Sequence, residues 1–335
     1  MYKNKLLKII LATLISISTV TAAGKVSGAT AHEAPSWFKE SFLDMGEDIE
    51  EASEEGKHVM LFMDLDSCPY CTRMLKESFI QEGKTKEFAK NHFDVININI
   101  KGSKEIAWDE DTDLTEKELA QKLEVQYSPT VIFLDNDKNI VVRVNGYRSA
   151  KNFKNIMEYV NGKHYKNMKL GAFLDKVKAK NLYTLRENKL FTSITDLSKI
   201  TSPLAVIFED GSCTQCDYLH NTTFKNKDVL GELSAYTIVR LDASSTKTII
   251  TPNGEKISAK EWANKINLDY RPGILLYNEK KLISTVDALL YSFHFKELLR
   301  YVSKKQYEVY GGYLQYLSVR QSELIKQGVN IDLAK

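Results

Sequence analysis

Cysteine is scarce in this chain: there are four in 335 residues. None lies near the N-terminus, and none sits at the long separations that structural staples span. That excludes a disulfide-framework protein and a lipid anchor carried on an N-terminal cysteine. Net charge is equally scarce, +2 from 46 basic and 44 acidic residues of interspersed sign. Such a surface is a solvated one and offers no electrostatic footprint for nucleic acid, so none is expected as a partner. The six histidines form no cluster. No segment beyond residue 23 is apolar enough to span a bilayer.

What is present begins with an export signal. Lys3, Lys5 and Lys8 precede an apolar stretch over residues 9–23, about the length of a signal-peptide core and short for a membrane span. Small-residue cleavage sites follow at Val20-Thr21-Ala22 and Ala29-Thr30-Ala31. Residues 1–31 are therefore assigned to the signal, cleaved between 22 and 31, and the mature chain to the periplasm. The alternative is an uncleaved N-terminus that anchors the protein to the membrane. The remaining length suggests two domains of ordinary size, with a composition of 43% hydrophobic and 27% charged residues that is normal for globular proteins.

An internal repeat gives the same count of two. Cys68-Pro69-Tyr70-Cys71 is followed by Phe79, and Cys213-Thr214-Gln215-Cys216 by Phe224, at the same offset. Glu118-Leu119-Ala120 precedes Pro129 as Glu261-Trp262-Ala263 precedes Pro272, with nine residues from alanine to proline in both. The first cysteine and the proline stand 61 residues apart in one half and 59 in the other. Beyond the prolines, Phe153 and Tyr159-Val160 match Phe295 and Tyr301-Val302.

Each half has the same local pattern. Apolar runs at 59–63 and 204–208 read as buried strands ending just before a cysteine pair. A helix-compatible stretch and a second strand (95–100, 237–241) follow, then after the proline a hairpin (131–134 with 140–144, 274–277 with 282–286) and a closing helix. Phe38, Phe42, Met45, Ile49 and Ala52 fall on one face of a further helix, with Ser36 placed to cap it. The fold class is α/β: two tandem units, each a central mixed β-sheet flanked by helices. Domain 1 is assigned to 32–166 and domain 2, with a C-terminal helix, to 167–335.

On these motifs the sequence resembles the thioredoxin superfamily. In the first half the likeness rests on the run from Met63 through Asp64, Leu65, Asp66 and Ser67 to Cys68-Pro69-Tyr70-Cys71. It continues with Tyr127-Ser128-Pro129-Thr130 and Gly146-Tyr147. It looks closest to periplasmic thioredoxins of the SoxW type and more distantly to the C-terminal domain of DsbD. The resemblance implies that Pro129 and Pro272 are cis and face the active-site disulfides. It also implies a reductase. Its partners would be disulfide-containing exported proteins or sulfur-carrier proteins and a membrane electron donor such as a DsbD/CcdA-type protein, with no cofactor beyond the redox-active disulfides Cys68–Cys71 and Cys213–Cys216. The second half departs from the pattern at Thr214-Gln215 and at Arg271, which stands where Ser128 precedes the first proline. The buried aspartate that ordinary thioredoxins carry six positions before the first cysteine falls here on Phe62 and Ile207.

Thiol–disulfide exchange needs one thiolate to attack and a second thiol to resolve the mixed disulfide. At a strand-to-helix junction the first cysteine gains the helix N-terminus, whose free N–H groups and dipole lower its pKa. Cys68 and Cys213 are therefore the expected nucleophiles, and Cys71 and Cys216 the resolvers. Pro129 and Pro272, with Ser128, Tyr70 and Arg271 beside them, are the candidate substrate-binding residues. Tyr70 has the plainer reading of a helix cover, and Arg271 that of a solvent-facing arginine unless it stabilises the Cys213 thiolate. Asp64 and Glu209 both stand four residues before the nucleophile. They are candidate proton relays, or else solvated carboxylates at strand ends.

No metal is expected. Zinc ribbons separate their Cys-x-x-Cys pairs by roughly 15–20 residues, far less than the interval between Cys71 and Cys213. The run Asp109-Glu110-Asp111-Thr112-Asp113 lacks the glycine and the glutamate a calcium loop requires, having Leu114 and Ala120 there, and reads as a solvated insertion loop that, with Trp108 nearby, lines the substrate groove. His220 reads as a surface residue. A disulfide oxidase or isomerase, and a non-catalytic second domain, are the competing functional readings.

Overall fold

The computed structural model describes residues 23–29, 31–109, 111–177 and 182–335. Residues 1–22 of the segment 1–31 assigned to the export signal lie outside the described residues. Two sheets of four strands organise the rest. In the first, His58–Asp64 is buried along its whole length because apolar side chains project from both of its faces. It runs parallel to Phe93–Asn99 and antiparallel to Thr130–Leu134, which pairs in turn with Ile140–Asn145. In the second, Leu204–Glu209 runs parallel to Thr237–Asp242 and antiparallel to Gly273–Asn278, which pairs with Lys281–Val286. The two topologies are the same. Asp64 and Glu209 close the two central strands at equivalent register positions, opposite Asn99 and Asp242.

The repeated Glu-x-Ala segments have a physical reason. Thr115 caps the helix Glu116–Lys122 and Ser258 caps Ala259–Lys265, each through a reciprocal capping box with Glu118 or Glu261. The alanines behind them are buried. Each helix follows a two-stranded hairpin, Glu105–Asp109 with Thr112–Thr115 and Thr248–Ile250 with Lys256–Ser258. The acidic insertion is thus a hairpin and not a loop. Trp108 is buried in the cluster of Leu61, Met63 and Ile132, on the sheet face opposite Met60 and Phe62, which pack with the first cysteine pair. It does not line the groove, because its indole is used as core.

A further expectation is corrected. The N-terminal helix spans Met45–Glu54, and Asp44 caps it by accepting from the Gly46 and Glu47 amides. Ser36 lies outside it, and Phe42 is 99% exposed despite matching the helical spacing. Beyond the boundary drawn at 166/167, the helix Leu170–Val177 places Leu174 in a core cluster made largely by the first unit.

The units are docked. Tyr270, Leu289 and Tyr291 of the second join the core cluster of the first. Arg148 stacks on Tyr270, its guanidinium carbon 4.5 Å from the ring centroid, and donates to the Asn145 carbonyl at 2.7 Å. Gly146 has φ +70°, and a Cβ there would meet Ala288 Cβ at 2.4 Å, so the contact requires glycine. The C-terminal helix Tyr313–Lys326 ends near a strand Ile331–Asp332, which pairs in parallel with Val26–Ser27. The first described residues are therefore clasped by the last.

Candidate active site

Cys68–Cys71 and Cys213–Cys216 are both disulfides, with Cα–Cα distances of 5.2 and 5.6 Å. In the first, the helix Pro69–Leu75 starts directly after Cys68, which is its N-cap. Pro69 occupies the first helical position, where its fixed φ is pre-organised and its missing N–H is no loss. The Cys71 amide donates to Cys68 Sγ at 3.1 Å. Cys71 is fully buried and Cys68 nearly so. The Ser128–Pro129 bond is cis, and Cys68 Sγ lies 3.5 Å from both the carbonyl oxygen and Oγ of Ser128. Thr130 Oγ1 donates to the Tyr127 carbonyl at 2.8 Å and fastens the loop. A largely apolar cleft of about 370 Å³ opens beside this sulfur, lined among others by Ser128, Leu290, His294, Tyr313 and Leu317. Its far wall is built by the second domain.

Tyr70 faces that domain. Its ring stacks on Tyr291 with centroids 4.6 Å apart, and its hydroxyl accepts from the Tyr291 amide at 2.7 Å. The same hydroxyl lies 3.1 Å from His294 Nδ1. Burial raises the Tyr70 phenol well above its ordinary value and pushes the His294 imidazole down to about 4. The phenol therefore donates to a neutral ring. Tyr291 also meets Tyr218, which follows Cys216 by two residues, so an aromatic row joins the two active-site helices.

The second pair is built differently. Arg271–Pro272 is also cis. The helix, however, runs only over Cys216–Asn221, with Gln215 at its cap position, so Cys213 stands a turn ahead of it. The expectation that Cys213 heads a helix fails because Thr214-Gln215 lacks the proline that starts the helix early in the first unit. Segment 182–185 crosses this site. The Leu182 and Tyr183 amides donate to the Gly211 carbonyl at 2.7 and 3.2 Å, and Tyr183 and Leu185 pack on the two cysteines. Arg271 does not face solvent. It donates to Asp210 Oδ2 at 2.7 Å and to the Leu268 and Tyr270 carbonyls. Although burial alone would raise it, the charge of Arg271 and the Ser212 hydrogen bonds hold the Asp210 carboxyl below its usual range.

Asp64 and Glu209 are not solvated. Asp64 Oδ2 lies 2.8 Å from His32 Nε2, whose Nδ1 is 3.1 Å from Thr72 Oγ1. That hydroxyl also meets the Cys68 carbonyl at 3.1 Å, and Asn97 Nδ2 reaches Asp64 Oδ1 at 3.4 Å. Glu209 is fully buried, with His220 Nε2 at 2.8 Å and the Tyr183 hydroxyl donating at 3.3 Å. Burial comes first among the causes that raise the Tyr183 phenol, which keeps it a donor. His220 is buried, which corrects its reading as a surface residue. Both histidines escape sequence reasoning. The position of His220 one turn after Cys216 is a usable signal, but His32 has none.

Two sheets of identical topology, each with a Cys-x-x-Cys disulfide and a cis-proline at the end of its central strands, define a tandem thioredoxin-fold protein. The chain belongs to the thioredoxin-like domain family, which matches it twice, over residues 45–161 and 191–303. No curated protein matches it. Among solved structures it is similar to a thioredoxin-fold protein from Helicobacter pylori, at 24% identity over 36% of this chain and 84% of that one, with a TM-score of 0.33. A DsbH oxidoreductase aligns at 16% identity over 46% of this chain and 95% of that one, with a TM-score of 0.27. A mutant of the alkylhydroperoxide reductase AhpF from Enterococcus faecalis aligns at 15% identity over 79% of this chain and 99% of that one, with a TM-score of 0.27. No helix of the described residues is long and apolar enough to cross a membrane.

Proposed function

We propose that the chain is an exported thiol–disulfide oxidoreductase of the reductase type, working through Cys68 and Cys71. Its substrates are disulfides of exported proteins or sulfur carriers, and a membrane donor of the DsbD or CcdA type resupplies electrons. The observation that carries this reading is the Cys71 N–H held 3.1 Å from Cys68 Sγ at a helix start. A thiolate formed there meets a backbone donor and the positive end of the helix. An extended substrate pairs beside the cis Ser128–Pro129 bond, and the apolar cleft takes the residues flanking its cysteine. Because Leu290, His294, Tyr313 and Leu317 wall that cleft, the second domain serves the first as part of its binding surface. Its own pair, strapped by 182–185, is the lesser site.

The direction of electron flow is tested by equilibration with glutathione. Cys68–Cys71 is expected at about −200 to −230 mV or lower, the range of glutaredoxin and thioredoxin. A value above about −150 mV belongs to an oxidase and rejects the reductase reading.

Export to the periplasm is part of the same proposal. Of the two cleavage sites, the earlier is the one the fold supports. The Gly24 amide donates to the Ile325 carbonyl at 2.8 Å, and the Lys25 amide to Asn330 Oδ1 at 2.9 Å. The strand Val26–Ser27 completes the clasp. Cleavage after Ala31 would delete all of these. The exported protein is therefore expected to begin at Ala23, read by intact mass. A mature chain beginning at His32 would reject this.

A further inference from the structure

Cys68 of the first domain and His294 of the second line the same cleft. His294 lies on the helix Ser292–Ser303, and a relay of hydrogen bonds across the seam orients its ring. The Tyr291 amide donates to the Tyr70 hydroxyl oxygen at 2.7 Å, and that hydroxyl lies 3.1 Å from His294 Nδ1. A backbone N–H can only donate, so the Tyr70 proton is left to point at Nδ1. Nδ1 is then the acceptor, and the hydrogen of the neutral ring sits on Nε2. Tyr313, on the C-terminal helix, donates its hydroxyl to the His294 carbonyl at 2.8 Å and holds the residue from the other side. The rings of Tyr70 and Phe293 meet the imidazole at steep angles and limit its rotation. Among the described residues nothing accepts from Nε2. Nor is Nε2 sealed without a partner in the core, as His58 Nδ1 is.

We infer that His294 Nε2–H is a substrate-binding donor: it hydrogen-bonds a main-chain carbonyl of an extended polypeptide whose disulfide is offered to Cys68, and so favours polypeptide disulfides over small anionic ones. This rests on the thiol–disulfide exchange proposed above and names the substrate class it serves.

The cleft suits that occupant. Cys68, Ser128 beside the cis-proline, and His294 line one space, so a chain that presents its sulfur to Cys68 runs on past the imidazole. At about 370 Å³ it is the size of a ligand site rather than a gap between side chains. Leu290, Leu314 and Leu317 of the second domain join Leu65 and Ile100 of the first in its walls. Among the described lining residues only Asp66 and Lys101 carry full charge. Oxidised glutathione, with several carboxylates, therefore finds a single cation there. A peptide carbonyl needs only a neutral donor, and in apolar surroundings it is costly to leave without one. The imidazole that accepts from Tyr70 supplies it.

The test compares two substrates. Stopped-flow mixing with the reduced full chain gives rate constants for a peptide disulfide with leucines flanking its cysteines and for oxidised glutathione. Wild type should prefer the peptide by about ten-fold or more. His294→Leu, which keeps the apolar bulk and loses the donor, should cut that preference by about five-fold, the scale of one neutral hydrogen bond. His294→Gln, whose amide both accepts and donates, should restore most of it. No preference in wild type, an equal loss on both substrates in His294→Leu, or a Gln variant no better than Leu overturns the inference. Reduction of neither substrate by wild type instead defeats the thiol-exchange reading itself. A second measurement leaves His294 in place. With Cys71→Ser trapped as a mixed disulfide, the Nε2–H proton resonance should lie further downfield in the peptide adduct than in the glutathione adduct. Coincident resonances also overturn it.

Discussion

Cys68→Ser is expected to lower the rate at which the protein catalyses insulin reduction by dithiothreitol by about 100-fold or more, while Cys213→Ser retains most of it. The asymmetry follows from local structure. Only a thiolate attacks, and a free cysteine with a pKa near about 8.5 supplies little of it at neutral pH. A helix N-terminus favours an anion by roughly 0.3–1 kcal/mol, and up to about 2 when partly buried, and each pKa unit corresponds to about 1.36 kcal/mol. Cys68 has this stabilisation, with the Cys71 amide aimed at its sulfur. Cys213 stands ahead of its helix and is covered by Tyr183 and Leu185. In the reduced protein, alkylation at pH 6 should therefore label Cys68 at least about ten-fold faster than Cys213, a difference of about 1.4 kcal/mol. Equal labelling, or a Cys213→Ser enzyme as impaired as Cys68→Ser, would remove the hierarchy between the sites.

The second large effect concerns the seam between the domains. His294 has its imidazole pushed down to about 4 by burial, from an ordinary value of about 6.5. The folded chain thus binds this proton less readily than the unfolded chain. Between those two values the unfolded state carries more protons, so stability rises with pH across the window and is lost as the pH falls through it. A shift of that size is worth about 3 kcal/mol. Beside this burial, Nδ1 of the neutral ring takes the Tyr70 hydroxyl as its donor, and a protonated ring has no lone pair to offer. His294→Gln keeps an acceptor that does not titrate. The unfolding free energy of wild type relative to this variant should fall by about 3 kcal/mol between pH 7 and pH 4, measured in urea. A difference that stays flat across that range would show that the ring does not titrate in the seam.

Much of this molecule is legible before folding. The runs at 59–63 and 204–208 announce buried strands because helices cover both faces of the sheet, leaving no room for polar alternation. The repeated glutamates are visible as a pattern, and the structure supplies their cause as capping boxes. The apolar spacing extends the N-terminal helix back to Phe38, too far, whereas Asp44, with two amides to satisfy, decides where the helix starts. Tyr70 cannot be placed from sequence. Its partners Tyr291 and His294 lie more than two hundred residues away, and nothing around Tyr70 encodes them.

The sequence by itself determined two thioredoxin-like units, the disulfide-forming pairs Cys68–Cys71 and Cys213–Cys216, and the prolines that follow them, because periodicity, turn chemistry and repeat spacing are local. Only the tertiary structure decided that one pair opens on a cleft and the other lies under a strap. It alone decided that a histidine from the N-terminal arm reaches a carboxylate under the first site. Those features are made by docking surfaces remote in sequence, and their stability comes from shared burial and hydrogen bonds formed only once both units have folded.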